Sequence, residues 1–158
     1  MPERRVAVLG CGNLLMRDDG LGVRAVEQLR RCGVPEGVEL TDAGTALIDV
    51  LPHVDGAEKT ILVDVVRAGG QPGDIYRIPT EELEQRLSSA GPKCSLHDIE
   101  LREALTLARL QQARLGTVIL IGMEPAAIEM GMELSEAVER AMPRLLEAIL
   151  AEIRRPAE

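Results

Sequence analysis

The stretch RVAVLGCGNLLMRDDGLGVRAVEQLRRC, residues 5–32, decides the architecture. Its opening, RVAVLG at 5–10, is a β-branched run closed by glycine, the pattern of a strand. From Asp18 to Cys32 the residues Val23, Val26 and Leu29 recur at three-residue steps, as one face of a helix would. Strand therefore passes to helix through a glycine turn, a geometry that usually cradles an anion at the helix N-terminus. Yet two adjacent aspartates, Asp18 and Asp19, stand where that helix should begin.

The alternation continues downstream. VELTDAG (38–44) reads as a second strand, TALIDVLPH (45–53) as a short helix stopped near Pro52, and KTILVDVV (59–66) as a fully buried third strand. A glycine- and proline-rich loop, RAGGQPGD, leads to IYRIP, a short strand whose proline suits a sheet edge. TEELEQRL and LHDIELREALTLARLQQ have helical spacing, GTVILIGME (116–124) is a last buried strand, and LSEAVERAMPRLLEAILAEI (134–153) is a closing amphipathic helix. The expected fold is α/β, a three-layer sandwich. Its sheet of about five strands is mostly parallel, with one antiparallel edge strand and helices on both faces. At 158 residues the chain is the size of one domain, spanning 1–158, able to bury ~70% of its unfolded surface.

Composition excludes several function classes. A net charge of -8 repels phosphate backbones, and one Tyr with no Phe or Trp leaves no rings for bases to stack on, so no nucleic-acid partner is expected. No apolar run approaches the ~18 residues needed to cross a bilayer, which argues against membrane insertion. The N-terminus runs straight into a strand without a leader pattern, and the three cysteines, Cys11, Cys32 and Cys94, lack metal-finger spacing. Free thiols and a cytoplasmic address are the expectation.

Ligands of such sheets bind beyond the carboxyl ends of the strands. There lie Gly12, Asn13, Asp18 and Asp19, then Asp42, Gly44 and Thr45, then Asp64, then Glu124 and Pro125. Four carboxylate-bearing loops on one rim repel one another unless something positive, or a proton, neutralises them. A dinucleotide site competes for this rim, because Gly10-Cys11-Gly12 begins the G-x-G-x-x-G pattern and Glu39 or Asp42 could meet a ribose. Leu15 stands where the third glycine belongs, and a pyrophosphate would face Asp18 and Asp19. Asp18 reads more simply as a helix N-cap and Asp19 as a first-turn acid. That leaves Gly20 and Gly22 unexplained unless another chain approaches closely there.

His97, one of two histidines, opens a helix after the loop SSAGPKCSL. It reads either as an exposed residue at a helix start or, with Asp19 and Asp64, as the nitrogen donor of an O, O, N set suited to nickel or zinc. His53 reads as a helix C-terminal cap. Cys94, three residues before His97, has no second half for a zinc site, and no nucleophile-elbow sequence surrounds Ser95.

Six blocks, VLGCGNLLMRDDGLGVRAVEQL, DAGTALIDVL, ILVDVVRAGGQPGD, SLHDIELREAL, IGMEP and LSEAV, in this order and spacing, resemble the hydrogenase maturation proteases. These endopeptidases trim the C-terminus of the large-subunit precursor of nickel–iron hydrogenase. The resemblance runs from about Val6 to about Ile153. It implies that Asp19, Asp64 and His97 contact a metal, and that the metal is nickel already installed in the precursor. Some family members have Glu at the position of Asp19. It also implies that Asp42, in the DAGT block, belongs to a loop important for processing, where it would polarise water or orient substrate. Asp19, Asp42 and Asp64 are all left open as the catalytic base. Gly12, Asn13, Gly44 and Thr45 complete the expected substrate loops. No nucleotide cofactor is expected. The competing function classes are a checkpoint protein that binds a nickel-loaded partner without hydrolysis, and a nucleotide-binding Rossmann-like enzyme.

Overall fold

The computed structural model describes residues 4–79, 81–82, 84–85 and 96–157, with the backbone alone for Leu96, His97 and Asp98. Five strands form one sheet: β1 (Val6–Cys11), β2 (Val38–Gly44), β3 (Lys59–Val65), β4 (Ile75–Pro79) and β5 (Thr117–Met123). Their spatial order is β2-β1-β3-β5-β4. β1 pairs in parallel with β2 and β3, β3 pairs in parallel with β5, and β4 runs antiparallel against β5. The mixed sheet with an antiparallel edge strand is the one expected, and Pro79 ends that edge strand, where no neighbour needs its missing N–H.

Side-chain alternation along β1 divides the core in two. Val6 and Val8 face a layer made by α1 (Leu21–Cys32) and α4 (Glu136–Arg154), where Leu29, Val26, Leu145 and Ile149 are fully buried. Ala7, Leu9 and Cys11 face the opposite layer, made by α2 (Leu47–Val50), a 3-10 turn (Leu51–His53) and α3 (Leu96–Leu110). Each fully buried Leu or Ile in these layers contributes roughly 1.5–3 kcal/mol relative to exposure.

Gly10 continues the Val6–Val8 face, and here the first helix comes too close for any side chain. A Cβ on Gly10 would lie 2.3 Å from the Gly22 carbonyl oxygen, and one on Gly22 would lie 2.1 Å from that of Val63. Gly22 is therefore explained by the chain's own β1 and β3 backbones, not by a second chain. The helix expected to start at Asp18 opens instead as a 3-10 turn, Arg17–Gly20, before α1 proper. Arg17, with φ of 50°, sits in the left-handed region at the entry to that turn. Helix α1 stops at Gly33, whose N–H bonds the Leu29 carbonyl. Helix α4 is capped by Ser135, whose Oγ accepts the Val138 N–H at 3.4 Å.

Among the described residues no helix is long and apolar enough to cross a membrane. Cys11 and Cys32 are free thiols, as expected; Cys94 and Ser95 lie outside the described residues. Of the segment TEELEQRL, residues 81–82 and 84–85 are helical and the remainder lies outside the described residues. His53 is not the cap of its turn: the closing bond runs from the Val54 N–H to the Leu51 carbonyl. The exposed His53 side chain lines a cleft of about 440 Å³ at the amino ends of β1 and β2.

Candidate active site

The glycine turn after β1 holds an anion, and the anion is the chain's own. Gly12 has a φ of 123°, and a Cβ there would lie 1.8 Å from the Asp19 carbonyl oxygen, so only glycine lets the turn close on the 3-10 segment. Asp19, 4% exposed, accepts the Asn13 backbone N–H on Oδ2 at 2.9 Å. A phosphate bound in this turn would compete with that carboxylate for the same amide. Asn13 in turn accepts the Leu15 N–H on its side-chain oxygen at 2.9 Å, an Asx-type turn that orients the loop.

The paired aspartates have different surroundings. Asp18 is fully buried and does not cap its own helix. Its carboxylate accepts the N–H groups of Ala126 (2.9 Å), Ala127 (2.8 Å) and Ser135 (2.7 Å), and the Ser135 hydroxyl at 2.8 Å. The reading of Asp18 as an N-cap is thus corrected: it accepts backbone donors, but from the loop after β5 and the start of α4. Burial alone would raise its pKa, but the Ser135, Ala127 and Ala126 donors outweigh it and leave the carboxyl below its ordinary range.

Glu124 finds its partners in a similar way. Its Oε1 accepts the Ala68 N–H at 3.0 Å, the Gly70 N–H at 2.7 Å and the Tyr76 hydroxyl at 2.9 Å, fixing the loop between β3 and β4. Two of the rim carboxylates are therefore satisfied by amides and hydroxyls, without a cation.

Asp64 sits next to last in β3, half-buried, and accepts the Val65 N–H on Oδ1 at 2.8 Å. Strand alternation puts it on the same face as Leu62, toward the α3 layer, while Val63 faces α1. The 3-10 turn that carries Asp19 packs against β3, which carries Asp64. Asp42 pairs with Gly10 where β2 meets β1, immediately before a register shift that sets Cys11 opposite Gly44. Asp42 and Thr45 are exposed, and Gly44, with φ of 49°, accepts the Gly12 N–H at 2.8 Å, joining the first and second rim loops.

Cys11 lies under these acids. Burial, followed by the charges of Asp64, Asp42 and Glu100, raises its thiol pKa well above the ordinary 9.0, so it is a neutral, apolar floor rather than a nucleophile. Helix α3 packs its Ala104, Leu105 and Ala108 into the layer that contains Ala7, Leu9 and Cys11. His97 is the second residue of α3. The His97 side chain lies outside the described atoms. Among the described residues no group of three potential ligands is close enough to hold a metal ion.

One buried charge cluster escaped the sequence reading. Lys59, 1% exposed at the start of β3, donates to Glu152 Oε1 and to the Glu152 and Arg155 carbonyls, each at 2.9 Å. Arg77 Nε donates to Glu152 Oε2 at 2.7 Å. Burial would raise the Glu152 carboxyl, but bonds from Arg77 and then Lys59 outweigh it and hold it below its ordinary range. The signal was legible: a lysine opening an otherwise apolar strand, and a glutamate three residues after Ile149 on the buried stripe of a helix. The cluster lies at the amino end of the sheet, opposite the rim.

Comparison with known proteins identifies the lineage. Residues 23–152 match the family model described as hydrogenase maturation protease. The hydrogenase 2 maturation protease of Escherichia coli K12 is 32% identical, over 95% of this chain and 91% of its own length. The hydrogenase expression/formation protein HupM of Azotobacter chroococcum is 35% identical, over 92% of this chain and 70% of its own. Among solved structures, the hydrogenase maturating endopeptidase HybD of E. coli superposes with a TM-score of 0.83 at 30% identity, covering 95% of this chain and 92% of that one. With matching sequence, fold and extent, the chain belongs to the hydrogenase maturation protease family, whose members are endopeptidases.

Proposed function

We propose that this protein is the endopeptidase that removes a C-terminal peptide from a nickel–iron hydrogenase large-subunit precursor after nickel insertion. In this reading Asp19, Asp64 and His97 contact the nickel carried by the precursor. The observation that carries it is the packing of the Asp19 turn against β3, which bears Asp64; His97, in the first turn of α3, is the nitrogen donor this reading assigns. Two carboxylates and an imidazole suit a borderline divalent ion and leave positions for another protein's ligands. The nickel would supply recognition of a finished precursor and Lewis-acid polarisation near the scissile bond. Asp42, exposed on the neighbouring loop, orients substrate or a water, and Asp19, Asp42 or Asp64 takes the proton of the attacking water. Gly12, Asn13, Gly44 and Thr45 form the walls that receive the precursor's chain. The working compartment in this reading is the cytoplasm.

The test is mass spectrometry of a nickel-loaded precursor incubated with the purified protein, and of a nickel-free precursor beside it. Loss of a C-terminal peptide from the loaded form alone is expected. An intact mass in a stable complex would replace the protease with a non-hydrolytic checkpoint, and cutting of both forms would remove nickel from the account.

A further inference from the structure

Three of the five large apolar side chains that stand exposed among the described residues gather at one place: Leu15 (59% exposed), Met130 (87%) and Met132 (61%). They come from the loop after β1 and the loop after β5, joined by backbone bonds. The Gly131 N–H donates to the Leu15 carbonyl at 2.9 Å, and the Arg17 N–H donates to the Gly131 carbonyl at 2.8 Å, forming an isolated parallel bridge between Met16 and Gly131. Gly131 has a φ of 147°, and Arg17 pays a left-handed φ of 50° to complete the bridge. Arg17 and Arg24 brace it further by donating to the Glu133 and Met132 carbonyls. A strained, cross-braced loop pair that presents methionines to water is costly unless it meets something, and methionine adapts to varied apolar partners.

The ridge continues into a cleft of about 560 Å³ between α1 and α4, lined by Met132, Leu134, Met142 and Pro143, with Arg24 and Glu139 at its edge. Pro143 has no N–H, so the Glu139 carbonyl beside the cleft lacks its i+4 donor and offers an acceptor. At its other end the ridge joins the candidate active site through one residue. Asn13 holds Leu15 through its side-chain oxygen and Asp19 through its backbone N–H, both at 2.9 Å.

We infer that the Leu15–Met130–Met132 ridge and its cleft are the docking surface for the precursor, gripping an apolar, extended segment of it beside the site of cleavage. This rests on the protease reading. Continuity with Asp19 selects the substrate as occupant. Three side chains expose at most a few hundred Å², short of the ~800 Å² per partner of a stable dimer, and the net charge of -8 opposes self-association. A transient contact suits an enzyme that must release its product.

The test compares wild type, the double variant Met130→Gln/Met132→Gln, and a control, Leu110→Gln, which alters an equally exposed apolar side chain at the far end of α3. Steady-state processing of nickel-loaded precursor is expected to show KM raised at least tenfold in the double variant, with kcat within about twofold and the control like wild type. An unchanged KM in the double variant, or an equal rise in the control, overturns the inference. Sedimentation of each protein with the precursor separates the other cases. If wild type leaves the precursor uncut, the protease reading falls. A complex weakened by the double variant then still supports docking, and an equal or absent complex overturns it. A wild-type homodimer that the double variant abolishes, with precursor binding unchanged, assigns the ridge to a second copy and also overturns it.

Discussion

Asp18 and Ser135, 117 positions apart, are joined twice: the Ser135 N–H donates to Asp18 Oδ1 at 2.7 Å and its hydroxyl to Oδ2 at 2.8 Å. This contact ties the turn that carries Asp19 to the N-terminus of α4. Asp18 is thereby a positioning residue for its neighbour, and the two aspartates separate into an anchor and a candidate ligand.

Substitution should separate those roles. Asp18→Ala leaves four donors without their acceptor and is expected to destabilise the protein by on the order of 3 kcal/mol. Asp19→Asn keeps an oxygen for the Asn13 N–H, so stability should stay within about 1 kcal/mol while processing is lost. Urea denaturation read beside precursor processing measures both. A stable Asp18→Ala variant, or an active Asp19→Asn variant, would contradict the division.

Acid sensitivity follows from Asp18 and Glu152. Both carboxyls are lowered from ordinary values of 3.8 and 4.5, so the folded state binds fewer protons than the unfolded chain. Their stabilisation is present above those ordinary values and disappears as pH falls through the lower folded ones. Unfolding midpoints should drop between about pH 5 and pH 2, and Asp18→Asn should flatten that slope. An identical slope in the variant would mean that other groups govern it.

Lys59 tests the buried cluster at the amino end of the sheet. Lys59→Met strands Glu152 with Arg77 as its one remaining cationic partner in the cluster, and the loss should be about 3–5 kcal/mol, seen in chemical denaturation. Replacing Lys59 and Glu152 together by apolar residues should recover part of that loss, since desolvation of both charges is removed. Failure of the double replacement to recover anything would point to Arg77 as the costly group.

Glu124 predicts a local effect. Glu124→Gln keeps one acceptor oxygen but loses the charge that three donors share, and Glu124→Ala removes it altogether. Hydrogen exchange at the Ala68 and Gly70 amides should accelerate at least tenfold in the alanine variant, with that at β1 and β3 unchanged. Unchanged exchange at 68 and 70 would show that the loop is held by other contacts.

The strands were readable because β1, β3 and β5 carry apolar runs between glycine and charged punctuation, and β2 and β4 have the bounds their sequences suggested. The start of the first helix was not, because at Arg17–Gly20 the Arg17 and Asp18 N–H groups donate to the Gly131 and Ala127 carbonyls, more than 100 residues away. Among the acids, periodicity placed Asp19, Asp42, Asp64 and Glu124 at the rim. It could not say that Glu124 was already satisfied by Ala68, Gly70 and Tyr76. His97 was legible as the opening of a helix, and that helix is present, with its side chain outside the described atoms.

By itself the sequence determined the layered α/β order and the family, because hydrophobic period and motif order are local and additive along the chain. Tertiary structure alone decided which of two neighbouring aspartates is anchored, which rim carboxylates already have donors, and that two distant loops share one apolar ridge. The physical reason is that a carboxylate's character is set by the N–H groups and charges that folding brings within 3 Å of it, and those come from anywhere in the chain.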